Sequence, residues 1–168
     1  MMFDSEILDL AGRVLSACRE RRLMLITAES CTGGLIAAAL IAVPGSSDVV
    51  DRGFVTYSYS AKTEMLGVPE DMIVVHGAVS EPVARAMVDG AVGTARGRLA
   101  IAVTGVAGPG SDSQEKPAGL VHLAVGDRSR VHHLERRYGD IGRDAVRRNT
   151  VVDALRLVLE WTGETALA

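Results

Sequence analysis

The chain has 168 residues, of which 48% are hydrophobic, 23% charged and 4% aromatic, with a formal net charge of −3. That length suits one domain with a sizeable core of Val, Leu, Ile and Ala, and the composition is that of a globular chain, which excludes disorder. The negative balance and the scarcity of rings argue against a dedicated nucleic-acid binder but leave room for a local anion site.

Ile7, Leu8, Ala11, Val14, Leu15 and Cys18 recur at spacings of three and four, which predicts a helix over 5–21. Leu23 to Ala28 is a short apolar run that suits a buried strand, and Gly33 to Val43 reads as a helix ended by Pro44-Gly45. Gly53 to Tyr59, rich in β-branched and aromatic residues, reads as a strand. Ser60 is expected to cap a short helix that stops near Gly67-Val68-Pro69, and Met72 to Val75 reads as a short strand. Ser80 is expected to cap the next helix, with Pro82 tolerated in its first turn, running to about Arg96. Leu99 to Thr104 is a predicted strand, followed by the Gly/Pro-rich loop Gly105 to Pro117. Leu120 to Val125 and Val131 to Tyr138 predict a hairpin around Gly126-Asp127. The last helix begins near Gly142 and runs to about Trp161, with Val146, Thr150, Val151, Ala154, Leu155, Val158 and Leu159 on one face. Alternating helices and strands followed by a hairpin predict an α/β fold: a single three-layer α/β/α sandwich with a mixed sheet over residues 1–168.

No apolar run approaches the ~20 residues of a membrane span. Met1-Met2-Phe3-Asp4-Ser5-Glu6 lacks the charged-then-apolar order of a secretory signal, so a cytoplasmic protein with no membrane partner is expected. The two cysteines, Cys18 and Cys31, fall in different predicted elements without C-x-x-C spacing, which predicts reduced thiols and neither zinc nor a redox motif.

Three stretches concentrate the residue types that do chemistry. Thr27-Ala28-Glu29-Ser30-Cys31-Thr32-Gly33-Gly34 joins a predicted strand to a helix start, where unpaired amides carry partial positive charge and cradle a phosphate or a developing oxyanion. Ser30 or Thr32 acting only as a helix cap explains the same pattern. Tyr57-Ser58-Tyr59-Ser60-Ala61-Lys62-Thr63 places Lys62 in a predicted first helical turn, where the dipole and partial burial disfavour the cation and would make a neutral base near pH 7. A solvated surface lysine is the alternative. Thr104-Gly105-Val106-Ala107-Gly108-Pro109-Gly110 follows a predicted strand, where open α/β sheets bind ligands, although the glycines also suit a simple turn. The run is neither a P-loop nor G-x-G-x-x-G.

Other candidates are weaker. Lys116 reads as a loop charge and His76, before Gly77, as structural. His132 and His133 alternate along a strand and point apart, so no metal site is expected. Arg143, Arg147 and Arg148 open the last helix, where a solvated face is the plain reading. The absence of G-x-S-x-G and H-E-x-x-H argues against an α/β-hydrolase elbow and a zincin.

Together the stretches closely resemble the CinA C-terminal domain family. The blocks that carry the resemblance are Thr27 to Gly34, Arg52-Gly53-Phe54-Val55-Thr56-Tyr57-Ser58, Ala61-Lys62, His76-Gly77-Ala78-Val79-Ser80-Glu81 and Thr104 to Pro109. Glu115-Lys116-Pro117-Ala118-Gly119 and Arg143-Asp144-Ala145-Val146-Arg147 extend it over nearly the whole chain. Members of that family include stand-alone nicotinamide-nucleotide amidohydrolases, which convert nicotinamide mononucleotide and water to nicotinic acid mononucleotide and ammonia. Longer members carry an additional N-terminal domain. The resemblance implies Ser30 as nucleophile, Lys62 as base and Tyr57 as a helper in proton transfer. It implies substrate contacts from Glu29, Cys31, Thr32, Gly33 and Gly34, from Thr104, Gly105 and Gly108, and from Arg143 toward the phosphate. The chain departs from the family pattern at Tyr59-Ser60, where Asn-Glu is usual, and at Ile141-Gly142, which separate Gly139-Asp140 from Arg143.

The expected reaction is attack of Ser30 on the carboxamide carbon with neutral Lys62 as base, backbone amides after Ser30 on the oxyanion, and hydrolysis of the acyl-enzyme by water. It needs no metal and no organic cofactor, its partner is the small-molecule substrate, and a homo-oligomer is left open. One alternative makes Cys31 the nucleophile beside Glu29 and Lys62, as in a nitrilase-like amidase. Another, of a different class, is a nucleotide-binding module without turnover that acts through a partner protein. The joint presence of Ser30, Tyr57 and Lys62 favours the enzyme.

Overall fold

A computed structural model describes residues 2–93 and 96–164. In chain order the elements are α1 (Ser5–Glu20), β1 (Met24–Glu29), α2 (Leu35–Ile41), β2 (Val50–Val55), α3 (Tyr59–Leu66), α4 (Glu70–His76), α5 (Glu81–Val92), β3 (Arg98–Gly105), β4 (Leu120–Gly126), β5 (Val131–Arg137) and α6 (Arg143–Trp161). The strands form one five-stranded sheet in the order β2-β1-β3-β4-β5. β2, β1 and β3 run parallel, and β4 and β5 continue the sheet antiparallel.

Alternation along each strand divides the core in two. Leu25, Leu99, Ile101, Val103, Val121, Leu123 and Val125 face α1, α2 and α6. Ile26, Ala28, Ala100, Ala102 and Ala124 face α5 and the inner sides of α3 and α4. The alanines leave room for α5 to lie close to the sheet with Val83, Ala84, Met87 and Val88 buried. Both faces are therefore covered, which gives the expected three-layer α/β/α architecture and explains why β1 and β3 read as near-continuous apolar runs. β4 is buried throughout, whereas β5, at the edge, alternates and exposes charged residues such as Glu135 and Arg137. No helix among the described residues is long and apolar enough to cross a membrane.

Several boundaries differ from the sequence expectation. Residues 72–75 are helical, not extended: Pro69 precedes α4, Glu70 and Asp71 fill its first turn, and within the run only Ile73 is buried. A four-residue apolar run carries no period of its own, and the start signal in front of it decides the outcome. β2 starts at Val50, because pairing with β1 begins opposite Leu25, and the chain leaves the sheet at Thr56, before Tyr57. Ser58, not Ser60, caps α3 by accepting from the Ala61 amide at 3.0 Å. α2 begins only at Leu35, since Gly33 and Gly34 take left-handed backbone conformations with φ of 61° and 96°. Ser80 occupies the cap position of α5, but its hydroxyl donates to the Gly77 carbonyl at 2.8 Å and does not cap. α5 stops at Val92 before Gly93, and the rest of its expected length at 94–95 lies outside the described residues.

Gly90 sits inside α5 where a side chain would collide with the Leu66 carbonyl at the end of α3. Glycine to alanine within a helix ordinarily stabilises by about 1 kcal/mol. Here the sign should reverse: Gly90→Ala is expected to lose about 2 kcal/mol through overpacking, read from the denaturant midpoint.

Candidate active site

β1 lies between β2 and β3, so the chain leaves the carboxyl end of β1 toward one side of the sheet while β3 lies on the other. Such a switch in direction opens a crevice beyond the strand ends. A cavity of about 370 Å³ lies there, lined among others by Ser30 after β1, Tyr57 and Lys62 around the start of α3, and Thr104 to Gly110 at the end of β3 and in the loop behind it. Arg143, the first residue of α6, closes one side.

The turn that carries Ser30 is built on Glu29. This carboxylate is fully buried, and one oxygen accepts from the amides of Gly34 at 3.1 Å and Ile36 at 3.0 Å while the other accepts from Ala37 at 2.9 Å. It thus satisfies the orphan donors of α2 and places an anion at the positive end of that helix. The left-handed glycines bring those amides back toward the strand end. Ser30 is held by its own amide, which donates to Val103 O at 3.1 Å, and by its carbonyl, which accepts from the Gly33 amide at 3.1 Å. The amides of Cys31 and Thr32 take no part in the hydrogen bonds that close the turn.

Lys62 is 1% exposed, with its ammonium nitrogen 3.1 Å from Ser30 Oγ and 2.7 Å from Thr56 O. It is the fourth residue of α3, two residues deeper than a cap at Ser60 would place it. Burial pulls its pKa down from the usual lysine value to about 8, against a small opposing influence of Cys31. The Thr56 carbonyl fixes one N–H of the amine, which leaves the lone pair of the neutral form to face Ser30. Cys31 also borders the cavity, but burial pushes its thiol up to about 12, so it stays protonated and weakly nucleophilic at neutral pH.

The opposite wall comes from β3 and the loop behind it. Thr104 Oγ1 donates to Ala78 O at 2.8 Å and draws the turn before α5 onto the cavity. Gly105 has no space for a side chain, since a Cβ would press on Leu120 O and Val121. Arg143 donates to Gly108 O at 2.9 Å and to the Tyr57 hydroxyl at 3.3 Å, tying the two rims together.

Ser30, Cys31, Tyr57, Lys62, Thr104, Gly105, Gly108 and Arg143 thus come together as a lining, despite the insertion at Ile141-Gly142. Glu29, Thr32, Gly33 and Gly34 do not line it. The expected substrate contact of Glu29 is replaced by a structural role, because both oxygens are spent on α2 amides, and the Glu29–Cys31–Lys62 arrangement of a nitrilase-like site does not assemble. Tyr57 is bonded to Arg143 at the mouth and not to Lys62, which separates it from the expected proton path. The sequence reading missed Thr56, whose carbonyl orients Lys62, and Tyr59 and Asp112, which border the cavity. Tyr59 belongs to the departure from the family pattern and was legible as such, whereas nothing in the sequence distinguished Thr56 or Asp112. Lys116 is not free in the loop: it donates to His76 O at 2.8 Å. His133 stacks on His122 with 3.0 Å between ring nitrogens, while His132 is exposed. Among the described residues no group of three or more His, Cys, Asp or Glu side chains is placed to hold a metal ion.

A model of the CinA C-terminal domain matches residues 7–162. A nicotinamide-nucleotide amidohydrolase, PncC, from Pseudomonas putida is 51% identical over 154 residues, which cover 92% of this chain and 96% of that one. A CinA-like protein from Anaeromyxobacter sp. (strain K) is 48% identical over 143 residues, 84% of this chain but only 34% of that longer protein. The crystal structure of the competence/damage inducible protein CihA from Agrobacterium tumefaciens is similar with a TM-score of 0.90 at 51% identity, covering 96% of this chain and 98% of that one.

Removing the charge from Glu29 tests the support of the turn. Glu29→Gln keeps the shape but turns an N–H₂ toward amide donors, so it should cost about 2 kcal/mol of stability in chemical denaturation, the range for charge-assisted hydrogen bonds.

Proposed function

The chain belongs to the CinA C-terminal domain family, and we propose that its cavity hydrolyses the carboxamide of nicotinamide mononucleotide to nicotinic acid mononucleotide and ammonia. The observation that carries the mechanism is the contact of a buried lysine of lowered pKa with Ser30 Oγ at the mouth of a helix-start turn. Neutral Lys62 takes the Ser30 proton as Oγ attacks the carboxamide carbon, and the carbonyl becomes an oxyanion facing the free amides after Ser30. Lys62, now an ammonium, gives its proton to the leaving nitrogen, the C–N bond breaks and ammonia departs. A water then loses a proton to Lys62 and attacks the acyl-enzyme. The collapse of that second tetrahedral adduct returns the proton to Ser30 and frees the carboxylate. Every proton moves through one group, so no metal or organic cofactor is required by the scheme.

At the outer end, Arg143 and the Tyr57 hydroxyl are the donors that suit the 5′-phosphate, since a guanidinium binds such an oxyanion with charge-assisted hydrogen bonds. Tyr59, in place of the family's usual residue, adds an aromatic face at the same rim.

Four outcomes are expected. Ser30→Ala should lower kcat by about three orders of magnitude, as loss of a covalent nucleophile does, while Cys31→Ala keeps most of it; the reverse pattern would move the chemistry to the thiol. In wild type, kcat should rise with pH through an apparent value near 8, and Lys62→Arg should be inactive because guanidinium holds its proton, whereas an active arginine variant ends the base assignment. Burial of the charged lysine costs stability in full below pH 8, and that cost disappears as pH climbs from about 8 toward the free-lysine value of 10.5. Lys62→Met should accordingly unfold no more easily than wild type at pH 7. Ammonia release from nicotinamide riboside should have a far lower kcat/KM than from the mononucleotide, and Arg143→Ala should shrink that ratio; equal rates for the two substrates would remove the phosphate site.

A further inference from the structure

Arg147, one turn after Arg143 on α6, does not belong to the cavity lining. Its side chain is half-buried beneath the nucleophile turn, with Nε donating to Cys31 O at 3.2 Å and Nη2 to Thr32 O at 3.1 Å. A planar guanidinium is thus forked across the two carbonyls that follow Ser30, from more than a hundred residues away in sequence. Each carbonyl belongs to a peptide unit whose N–H lies on the next residue. The cation on Cys31 O therefore polarises the Thr32 amide. The cation on Thr32 O polarises the Gly33 amide, which donates to Ser30 O at 3.1 Å, and that contact in turn polarises the Cys31 amide. Both chains end on the amides left free by the turn, those of Cys31 and Thr32. Gly33 lies close under the guanidinium, where an added Cβ would stand 3.6 Å from Nη2 at a left-handed φ of 61°.

We propose that Arg147 is a positioning residue for the amide hydrolysis: it holds the carbonyls of Cys31 and Thr32 in place and, through Thr32 O, the Gly33 amide and Ser30 O, strengthens the Cys31 amide at the cavity as a donor to the oxyanion formed at the carbon that Ser30 attacks. The assignment rests on the amidohydrolase reading above. A residue of this kind acts in the transition state more than on bound substrate, so its loss falls on kcat and spares KM. Lysine cannot replace it, because a single ammonium cannot fork two carbonyls in one plane.

The test compares wild type, Arg147→Lys and Arg147→Met for kcat, KM and melting temperature with nicotinamide mononucleotide, and for the rate at which a fluorophosphonate modifies Ser30. The phosphonyl oxygen of that probe needs the same amide and none of the nucleotide contacts. Both variants should lose about 10–100-fold in kcat with KM within about threefold, a smaller loss than deleting an oxyanion donor outright, and should be modified about tenfold more slowly. A folded variant with kcat and modification rate near wild type, or one whose loss lies in KM alone, overturns the proposal. If Arg147→Met does not fold, Arg147→Lys gives the same reading. A wild type that is modified at Ser30 but releases no ammonia sinks the substrate assignment alone, and the modification rates then decide the role of Arg147.

Discussion

The contact on which the rest of the site depends is the one between the Glu29 carboxylate and the start of α2. A helix start is ordinarily an open anion site, and the sequence around Ser30 invites that reading. Here the chain supplies its own anion from the last residue of β1, so the α2 amides at Gly34, Ile36 and Ala37 are already satisfied. The turn between strand and helix is left as a rigid loop with its two intermediate amides uncommitted. Ser30 projects from that loop, and Arg147 grips its outer side. A charge at the strand end and a charge beneath the loop thus hold a segment whose own sequence, with two glycines at positive φ, has little intrinsic rigidity.

Lys62 completes the site at a cost in stability. A lysine at 1% exposure is buried as deeply as the core leucines, yet among the described residues its ammonium bonds only to Ser30 Oγ and the Thr56 carbonyl. No carboxylate among the described residues neutralises it, and Glu29, next to Ser30 in sequence, is turned toward α2. That separation keeps the lysine pKa low: a paired lysine would hold its proton and could not act as a base. The hydroxyls of Thr27, Thr32 and Thr56, all buried near the same strand ends, have no protein hydrogen-bond partner among the described residues. Unsatisfied buried groups add to the burden. The well-packed alanine and branched-aliphatic layers on both faces of the sheet supply the margin that carries it.

Much of this was legible from local pattern. The long amphipathic stretches became α1, α5 and α6, and the apolar runs at 23–28 and 99–104 became the central strands β1 and β3, because a segment buried on both sides must be largely apolar. Legibility failed where a short segment could serve two periods. Met72 to Val75 contains only branched and flexible apolar residues, and its helical state follows from Pro69, Glu70 and Asp71 in front of it and from a sheet that already has its five strands. Val74 and Val75 end up exposed, which no periodicity argument would place there.

Sequence alone determined the layered α/β/α class, the order of its elements outside 72–75, and the residue types gathered at three strand ends, since hydrophobic period and turn chemistry are local properties. It also brought out Ser30 and Lys62 as candidates, because a hydroxyl and an amine at successive helix starts are few in this chain. What a carboxylate or guanidinium does with its charge was decided only by tertiary structure. Glu29 and Cys31 flank Ser30 equally in the sequence, yet one faces α2 and the other the cavity. Arg143 and Arg147 are a single turn apart, and the helix sends one to the cavity rim and the other beneath the nucleophile turn. Charged side chains reach far and are governed by whichever partner the packed layers bring within about 3 Å, a distance that exists only after the sheet and its helices have closed.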